Sequence, residues 1–402
     1  MDKRVVVVPK IRGFICTTAH PVGCAAHVDE QIAHVRQRHW TAGARTALVV
    51  GASTGYGLAS RIVATFGLGA DSLGVFLERP AKGDRTASAG WYNSIALERR
   101  ARELGRQVWS INGDAFSQAV KMDTVALLKA RFAPVDVVVY SLAAPQRIHP
   151  LTGEVFRSVL KPIGANFSSK TLQTDRNVVC DVALEPATEQ EIAATVAVMG
   201  GEDWLLWMEA LAAAGVLARG VKTVAYSYVG PRLTWPIYRD GTIGMAKKDL
   251  DGTVPRIDAL LRPLGGKAYV AVNKAVVTQA SSAIPVVPLY IALLFKVMKE
   301  RGTHETCIGQ MERLFAEKLP DGVVDGDGRL RLDGAELDQG VQDEVLRRWQ
   351  LVTTENLWEL ADPDGYGKDF LRLFGFGLPG IDPLEAVETD LPLQRWDGTV
   401  WQ

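Results

Sequence analysis

The stretch LVVGASTGYGLASR, from Leu48 to Arg61, decides the fold of this 402-residue chain. Small and β-branched apolar residues lead into three glycines, Gly51, Gly55 and Gly57, and a helical pattern follows them. Glycines let the backbone turn sharply and approach a pyrophosphate, and the helix N-terminus offers unpaired N–H groups to that anion. The stretch therefore predicts the strand, turn and helix of a dinucleotide-binding unit.

The spacing of these glycines is G-x-x-x-G-x-G, the form used by short-chain dehydrogenases and reductases. It differs from the G-x-G-x-x-G of the simplest dinucleotide-binding fingerprint. A glycine-rich turn between any strand and any helix is an alternative interpretation, so the motif alone is a modest signal.

Composition and charge exclude several kinds of protein. Apolar residues make up 47% and charged residues 23%, and the net charge of -1 gives no reason to expect nucleic acid or an anionic membrane as a partner. Four scattered cysteines do not form a disulfide framework, which fits a reducing compartment. The apolar run near the N-terminus is too short for a signal peptide. The apolar stretch over residues 283–297 is too short for a membrane span. The sequence predicts a cytoplasmic protein.

Strands and helices alternate after the glycine turn. The predicted strands are residues 72–77, 107–111, 135–140, 222–227 and 266–272, and the predicted helices include 92–104, 117–131, 189–199 and 202–214. This order is typical of an α/β fold with a Rossmann-like, doubly wound parallel sheet whose ligand binds at the carboxyl ends of its strands. Residues 146–187 interrupt the alternation and are interpreted as an insertion.

Three positions after these strands suit parts of a dinucleotide. Glu78 ends the second strand about 20 residues after the glycine turn, where a carboxylate accepts hydrogen bonds from an adenosine ribose and repels a 2′-phosphate. This favours NADH over NADPH, although the neighbouring Arg79 could instead contact a phosphate. The acidic turn at Asp114 suits an adenine amino group, and the small residues around Ala143 leave room for a nicotinamide.

Other segments give weaker signals. We expect a hairpin within residues 4–16, a helix over 29–39, a long apolar helix from Thr278 onward, and polar loops towards the C-terminus. Cysteines and histidines between Cys16 and His27 lack the spacing of a zinc site, so no metal is predicted. Residues 325–336 resemble a calcium loop, but its fifth and sixth places are Arg329 and Leu330, so a polar surface turn is expected.

Tyr238 and Lys247 follow the fifth predicted strand and are nine positions apart. In short-chain dehydrogenases the two residues are about four positions apart, one helical turn, and face the same way. Nine positions at roughly 100° per residue would place them on opposite faces of one helix. Turn-forming residues lie between them, so we expect Tyr238 in a loop and Lys247 on a helix capped by Thr242.

A phenol and an ammonium suit hydride transfer to an α,β-unsaturated thioester, because negative charge then develops on the thioester oxygen. The phenol donates a hydrogen bond or a proton to that oxygen, and the ammonium holds the cofactor ribose and makes the phenol more acidic. Tyr228 is a second candidate phenol. Tyr–Lys spacings are common by chance, so the position after the fifth strand of a nucleotide fold is what makes this one informative.

Five motifs add a family resemblance: GASTGYG at 51–57, YSYVG at 226–230, the Tyr238–Lys247 pair, VNKAVVTQAS at 272–281 and LRLFGF at 371–376. Together they resemble the bacterial single-chain trans-2-enoyl-CoA reductases, a family that includes the larger NADH-dependent enoyl-acyl-carrier-protein reductase. The resemblance covers nearly the whole chain. It implies a monomer that reduces the C2–C3 double bond of enoyl thioesters, carried by acyl-carrier protein or CoA, in fatty-acid biosynthesis.

The resemblance also implies a single NAD-binding domain and the roles of its residues. Its parts would be residues 1–45, a Rossmann core over 46–300 with the insertion, and a C-terminal extension over 301–402. Tyr238 is implied as the proton donor, Tyr228 as a substrate contact and Lys247 as a cofactor ligand. The implied NADH site consists of Gly51, Ala52, Ser53, Thr54, Gly55, Tyr56, Leu77, Glu78, Asp114, Ala115, Leu142, Ala143, Val276, Val277 and Thr278.

Two other functions remain open at this point. A carbonyl reductase of the wider short-chain class is one, although the long Tyr–Lys spacing argues against it. A non-catalytic nucleotide-sensing protein is the other. Within the reductase hypothesis, residues 280–295 are predicted to form a helix beside the acyl chain, but ordinary core packing explains their small residues nearly as well.

Overall fold

The computed structural model describes residues 4–41 and 43–394. Its strands are β1 (Arg4–Val6), β2 (Ile11–Arg12), β3 (Ile15–Cys16), β4 (Thr46–Val50), β5 (Asp71–Phe76), β6 (Val108–Asn112), β7 (Val135–Tyr140), β8 (Gln146–Ile148), β9 (Val155–Arg157), β10 (Phe167–Gln173), β11 (Val178–Leu184), β12 (Leu217–Ser227), β13 (Lys267–Val272), β14 (Arg329–Arg331) and β15 (Ala386–Glu388). Its α-helices are α1 (Pro21–Arg36), α2 (Gly55–Ile62), α3 (Ala89–Glu103), α4 (Gln118–Arg131), α5 (Glu189–Met199), α6 (Glu202–Ala213), α7 (Thr242–Leu261), α8 (Gln279–Ser282), α9 (Val287–Glu300), α10 (Cys307–Arg313), α11 (Leu319–Asp321), α12 (Gln339–Leu351), α13 (Leu357–Leu360) and α14 (Pro363–Arg372).

Seven parallel strands form the central sheet in the order β14-β13-β12-β7-β4-β5-β6. From β4 the chain adds β5 and β6 on one side and then β7, β12, β13 and β14 on the other. The strand order therefore reverses between β4 and β7, and a ligand crevice is expected at the carboxyl ends of strands at such a point. The predicted Rossmann-like, doubly wound α/β fold is confirmed.

Apolar clusters cover both faces of this sheet. In β4, Val49 belongs to one cluster, while Leu48 and Val50 belong to the other, because successive side chains of a strand point to opposite faces. The helix α9 is buried in the first cluster along most of its length. The second cluster includes residues of α4, α6 and α7. With both faces covered, every residue of β4 is buried.

The hairpin expected within residues 4–16 is confirmed, since β2 and β3 pair in antiparallel fashion. The first strand of this segment, β1, instead pairs with β15 from the other end of the chain. The helix predicted over residues 29–39 is wrong at both ends, because α1 begins at Pro21 and ends at Arg36. His20 caps this helix through its Nδ1, which accepts from the Gly23 N–H at 3.0 Å. Proline at the first helical position loses no hydrogen bond, so it begins a helix here.

Two kinds of feature are absent from the part of the chain that the structure describes. No group of three or more His, Cys, Asp or Glu side chains there is arranged to hold a metal ion. His20 serves as a helix cap, and Cys16 and Cys24 are buried in the apolar core. No helix within residues 4–41 and 43–394 has the length and apolar character that crossing a bilayer requires.

The insertion over residues 146–187 contains two antiparallel hairpins, β8–β9 and β10–β11. The second hairpin contacts the segment before α9, where the Thr171 hydroxyl accepts from the Val286 N–H at 3.3 Å. The strand after the insertion, β12, begins at Leu217 rather than at the predicted residue 222, and its register against β7 shifts between Leu217 and Lys222. That irregularity hid the first part of the strand from the sequence pattern.

The long apolar helix predicted from Thr278 onward is wrong, because the chain forms two helices, α8 and α9, with a break between them. Val286 at the break has a φ of 73°, a left-handed conformation that is uncommon for a β-branched residue. Pro285 precedes it and Pro288 lies in the first turn of α9. The residue before a proline disfavours the helical region, so Ile284, which precedes Pro285, favours a break at this point.

The segment over residues 325–336 is only partly the polar surface turn that the sequence predicted. Asp325 organises the turn by accepting the N–H groups of Asp327 and Arg329 at 2.9 Å. The strand β14 then joins the edge of the central sheet beside β13. This pairing carries the following residues into the core, where Glu336 is 0% exposed. For Glu336 the predicted surface location is therefore wrong.

Candidate active site

The glycine turn is tightly packed where the strand order reverses. Gly51 has a φ of 87°, and a Cβ at this position would collide with the Ser141 carbonyl oxygen after β7. A Cβ on Gly57 would collide with the carbonyl oxygen of Gly51. The helix α2 begins at Gly55, and the side chain of its N-cap, Thr54, makes no capping hydrogen bond. Unpaired N–H groups at a helix start are suited to bind an anion such as a pyrophosphate, the role that the sequence predicts for this turn.

A cavity of about 710 Å³ extends from this turn across the carboxyl ends of the strands. Its wall includes most of the predicted site residues, namely Gly51, Ser53, Thr54, Gly55, Tyr56, Leu77, Glu78, Asp114, Ala115, Leu142, Ala143, Tyr228, Tyr238, Lys247, Val276 and Thr278. Two predicted residues are not on its wall. Ala52 is fully buried beneath the turn, and Val277 lines a smaller neighbouring cavity of about 270 Å³.

Glu78 lies at the end of β5 beside the glycine turn. Its carboxylate accepts from the Ser53 hydroxyl at 2.7 Å, and its N–H donates to the Asn112 side chain at 2.7 Å. Burial raises the pKa of Glu78, and the hydroxyl partners oppose that rise. A Cβ on Gly90 would collide with this carboxylate, so that glycine leaves the space that Glu78 occupies. A carboxylate is thus held at the predicted adenosine end of the crevice.

A buried polar network supports the loop after β6. The Ala115 carbonyl accepts from the Lys121 ammonium at 3.0 Å and from the Trp207 indole at 3.1 Å. Lys121 also forms a buried ion pair with Asp203 at 2.8 Å. Tyr140 completes the network by donating to Asp203 at 3.1 Å. The sequence patterns did not indicate this network, since its members come from four separate elements.

Tyr238 and Lys247 line the same cavity. Tyr238 lies in the turn before α7 and Lys247 lies on α7, as predicted. The predicted cap is wrong, because Gly241 is the N-cap, while the Thr242 hydroxyl donates to the Val159 carbonyl at 2.5 Å. A loop and a helix can therefore bring the two side chains together despite their spacing.

The two side chains have different surroundings. The Lys247 ammonium donates to the Tyr226 carbonyl at 2.9 Å, and burial lowers the pKa of Lys247 to about 8. Burial raises the pKa of Tyr238, and the charge of Glu336 raises it further. Within the described residues, no protein group is hydrogen-bonded to the Tyr238 hydroxyl. The phenol is therefore protonated near neutral pH and free to donate to a ligand in the cavity.

The second phenol, Tyr228, is held from behind by Glu336. Its hydroxyl donates to the Glu336 carboxylate at 2.7 Å, and its ring meets the Tyr238 ring edge-to-face with centroids 4.7 Å apart. Tyr290 donates to the same carboxylate oxygen at 2.6 Å. Burial of the phenol, reinforced by the charge of Glu336, holds the pKa of Tyr228 well above the ordinary value. Sequence reasoning missed Glu336, although it is the last residue of the rejected calcium-loop segment.

Lys274 is a second buried lysine on the cavity wall. Its ammonium donates to the Ala275 carbonyl at 2.8 Å and lies 5.2 Å from the centre of the Phe295 ring. Burial lowers the pKa of Lys274 to about 8, and the charge of Glu336 opposes this shift. The Tyr56 hydroxyl donates to the Lys274 carbonyl at 2.6 Å. This contact joins the glycine turn to the loop after β13.

The wall formed by α8, α9 and the segment between them is largely apolar. Ile284, Val287 and Ile291 contribute to it, and Leu373 faces the cavity as well. Ile284 lies in the break between the two helices, and Val287 and Ile291 lie on α9. An apolar wall beside two phenols suits a substrate with a hydrocarbon part.

The reversed strand order, the glycine turn, the acidic strand end and the Tyr–Lys pair define a nicotinamide-dependent oxidoreductase of the short-chain dehydrogenase type. Three family models match consecutive parts of the chain. They are the NAD(P)H binding domain of trans-2-enoyl-CoA reductase over residues 6–83, the trans-2-enoyl-CoA reductase catalytic region over 85–320, and the enoyl reductase FAD binding domain over 324–387. The chain belongs to the trans-2-enoyl-CoA reductase family, and the resemblance that the motifs indicated is confirmed.

Curated relatives agree with this assignment. The chain is 55% identical over 392 residues to the enoyl-(acyl-carrier-protein) reductase (NADH) of Opitutus terrae, covering 96% of this chain and 100% of the relative. It is 52% identical over 384 residues to the trans-2-enoyl-CoA reductase (NADH) of Clostridium perfringens, covering 95% and 99%. The two names differ in the carrier of the enoyl group and share the cofactor.

A solved structure of Treponema denticola trans-2-enoyl-CoA reductase in complex with NAD is similar to this one, with a TM-score of 0.93 and 43% identity over 97% of this chain and 100% of that one. The Clostridium acetobutulicum enzyme in complex with NADH gives a TM-score of 0.93 and 42% identity over 96% and 98%. The third family model mentions FAD, but the segment it matches contributes only Leu373 to the wall of the larger cavity described above.

Proposed function

We propose that this protein catalyses the NADH-dependent reduction of the C2–C3 double bond of trans-2-enoyl thioesters in fatty-acid biosynthesis. The observation that carries the proposal is that Tyr238 and Lys247 line one cavity with the glycine turn and Glu78. Family membership supports it, and both relatives described above are named as NADH enzymes. The short-chain carbonyl reductase and the nucleotide sensor have no comparable support.

In this proposal NADH, when bound, supplies a hydride to C3 of the enoyl thioester. Tyr238 would donate a hydrogen bond to the thioester oxygen as negative charge develops there, and it would supply the proton that ends on C2, after which solvent returns a proton to the phenol. Lys247 binds the cofactor ribose from α7 and adds positive charge to the cavity. Tyr238 is only 8% exposed, and burial strengthens its electrostatic interaction with a ligand.

The remaining site residues are assigned by position. The start of α2 holds the pyrophosphate, while Glu78 accepts from the adenosine ribose and disfavours a 2′-phosphate. Loops at Asp114, Leu142 and Val276 enclose the adenine and nicotinamide ends. Tyr228 contacts the substrate through its ring and its oxygen lone pairs, because its proton is donated to Glu336.

The apolar wall is assigned to the acyl chain. Ile284, Val287 and Ile291, which line the larger cavity, would contact it. A series of enoyl-CoA chain lengths tests this assignment with the variant Ile291→Ala. A shift of the preferred chain length supports an acyl site, and lower stability with unchanged preference supports core packing alone.

Several features of the enzyme in the cell belong to the proposal as well. We infer a monomer in the cytoplasm, organised as one NAD-binding domain with a C-terminal extension packed on the core. Either acyl-carrier protein or CoA would carry the substrate. Size-exclusion chromatography with light scattering tests the monomer, and a comparison of kcat/KM for the two carriers with the same acyl group identifies the preferred one.

One assay tests the reaction itself. Oxidation of NADH or NADPH is followed spectrophotometrically with crotonyl-CoA and, in parallel, with acetoacetyl-CoA. Turnover of crotonyl-CoA with preference for NADH supports the proposal. Turnover of acetoacetyl-CoA alone would identify a carbonyl reductase, and turnover of neither substrate would contradict both assignments.

A further inference from the structure

Glu336 is a buried carboxylate that the reaction described above does not use. It accepts three hydrogen bonds: one oxygen accepts from the hydroxyls of Tyr228 and Tyr290 at 2.7 and 2.6 Å, and the other accepts from the Ala275 N–H at 2.7 Å. Burying a carboxylate is costly unless such partners satisfy it. The concentration of three donors on one buried group indicates a specific role.

The three partners lie on three elements that border the active-site cavity, although Tyr290 itself is buried behind the cavity wall. Tyr228 follows β12, Ala275 lies in the loop after β13 that leads to Val276 and Thr278, and Tyr290 lies on α9. Glu336 itself follows β14 at the edge of the sheet. One side chain thus joins the phenol wall, the cofactor loop and the apolar helix from a fourth direction.

The contact between Tyr228 and Tyr238 extends this link to the proposed proton donor. Their rings are perpendicular within a few degrees, at an interplanar angle of 87°, with centroids 4.7 Å apart. Edge-to-face pairs depend on the orientation of both rings. Fixing the hydroxyl of Tyr228 therefore fixes the surface against which Tyr238 packs. The Tyr228 hydroxyl lies on the Glu336 carboxylate beside the Tyr290 hydroxyl, which shares the same carboxylate oxygen.

We propose that Glu336 is a positioning residue for the reduction: by clamping Tyr228, it holds Tyr238 at the thioester oxygen. The inference rests on the proposed function. Glu336 does not touch the reacting atoms and acts through Tyr228. Burial raises the pKa of Glu336, and the charge of the buried Lys274 ammonium opposes that rise. This ammonium balances the negative charge of the carboxylate.

The test variant is Glu336→Gln. A glutamine can keep its amide oxygen on the Ala275 N–H, which can only donate, and turn its NH₂ group to the phenols, whose hydroxyls can also accept. The cofactor loop then stays in place while the charged clamp on Tyr228 is lost. We expect kcat with crotonyl-CoA to fall by about tenfold, as for a modest displacement of a positioned group, and the Kd for NADH to change by less than about twofold.

Tyr228→Phe breaks the same hydrogen bond from the other side, and Tyr290→Phe is the matched control, because it removes the second phenol on the same oxygen. If Glu336 acts through Tyr228, the double variant Glu336→Gln/Tyr228→Phe loses no more kcat than the worse single variant. Tyr290→Phe should keep kcat within about threefold of the wild-type value. Its Tm should be close to that of Tyr228→Phe, so that a difference in kcat between the two variants does not reflect stability.

The inference would be overturned if the kcat losses of the two single variants multiplied in the double variant. It would also be overturned if Tyr290→Phe lost as much kcat as Tyr228→Phe, or if Glu336→Gln kept the wild-type kcat. If Glu336→Gln does not fold, Tyr228→Phe is compared with Tyr290→Phe. A larger loss of kcat in Tyr228→Phe supports the inference, and an equal loss in the two variants overturns it. Wild-type turnover of crotonyl-CoA is measured first. Its absence would refute the proposed function and the inference with it, whereas normal wild-type turnover isolates the role of Glu336.

Discussion

The Tyr228 hydroxyl donates to the Glu336 carboxylate at 2.7 Å, although 108 positions separate the two residues in the chain. This bond directs the only proton of the Tyr228 hydroxyl away from the cavity. Tyr238, which packs against Tyr228, is then the phenol with a free hydroxyl at the substrate end. Two neighbouring tyrosines thereby differ in whether their hydroxyl proton is available to a ligand.

Replacing Tyr238 with phenylalanine should lower kcat for crotonyl-CoA by about 10²- to 10⁴-fold, the usual contribution of a general acid. The ring and its packing on Tyr228 are kept, so the Kd for NADH and the Tm should stay close to wild type. Steady-state kinetics and fluorescence titration of NADH measure the two effects. Retention of wild-type kcat would contradict the assignment of Tyr238 as donor.

Lys247 predicts a pH dependence. Burial lowers the pKa of Lys247 to about 8, so its ammonium is charged below that pH and loses the charge as the pH rises through it. If the ammonium binds the cofactor ribose, kcat/KM for NADH should fall above about pH 8. Lys247→Arg should remove this decline, because a guanidinium stays charged.

Lys274 provides the control for this profile, because burial lowers its pKa to about 8 as well. The variant Lys274→Arg should keep the alkaline decline if Lys247 causes it. If the alkaline decline disappears in Lys274→Arg and persists in Lys247→Arg, the titrating group is Lys274 and not Lys247.

Glu78→Ala should weaken the preference for NADH over NADPH. The substitution removes the negative charge at the end of β5 and the proposed acceptor for the ribose. Losing a hydrogen bond to a charged group changes the affinity for a ligand by about tenfold or more. The measurement is the ratio of kcat/KM values for the two cofactors. Arg79→Ala is the matched control, and a shift in that variant instead would identify Arg79 as the residue that reads the ribose.

Gly57→Ala should disrupt the glycine turn, because the added Cβ would collide with the Gly51 carbonyl oxygen. We expect the free energy of unfolding to fall by about 1–3 kcal/mol and NADH binding to weaken. Gly252→Ala on the exposed side of α7 is the control, since within the described residues its added Cβ would meet nothing beyond its own stretch of α7. That substitution should raise stability by about 0.5–1 kcal/mol. Urea titrations compare the two variants.

Much of the crevice could be predicted from the sequence, because its signals are local. The glycine turn, the acidic residue at the end of a strand and the small residues after β7 are each short patterns whose meaning depends on adjacent residues. The turn between Tyr238 and Lys247 was also predicted, although the cap proved to be Gly241. The roles of these residues in catalysis and binding stay predictions that the variants above test.

The sequence by itself determined the doubly wound sheet and the place of the cofactor crevice, since strand–helix alternation and motif spacing are written in neighbouring residues. Only the tertiary structure decided the break at Val286, the early start of β12 and the burial of Glu336. Each depends on pairing or packing between segments far apart in the chain. A carboxylate in a polar, glycine-rich stretch has the pattern of a surface residue until β14 joins the sheet and carries it beneath Tyr228.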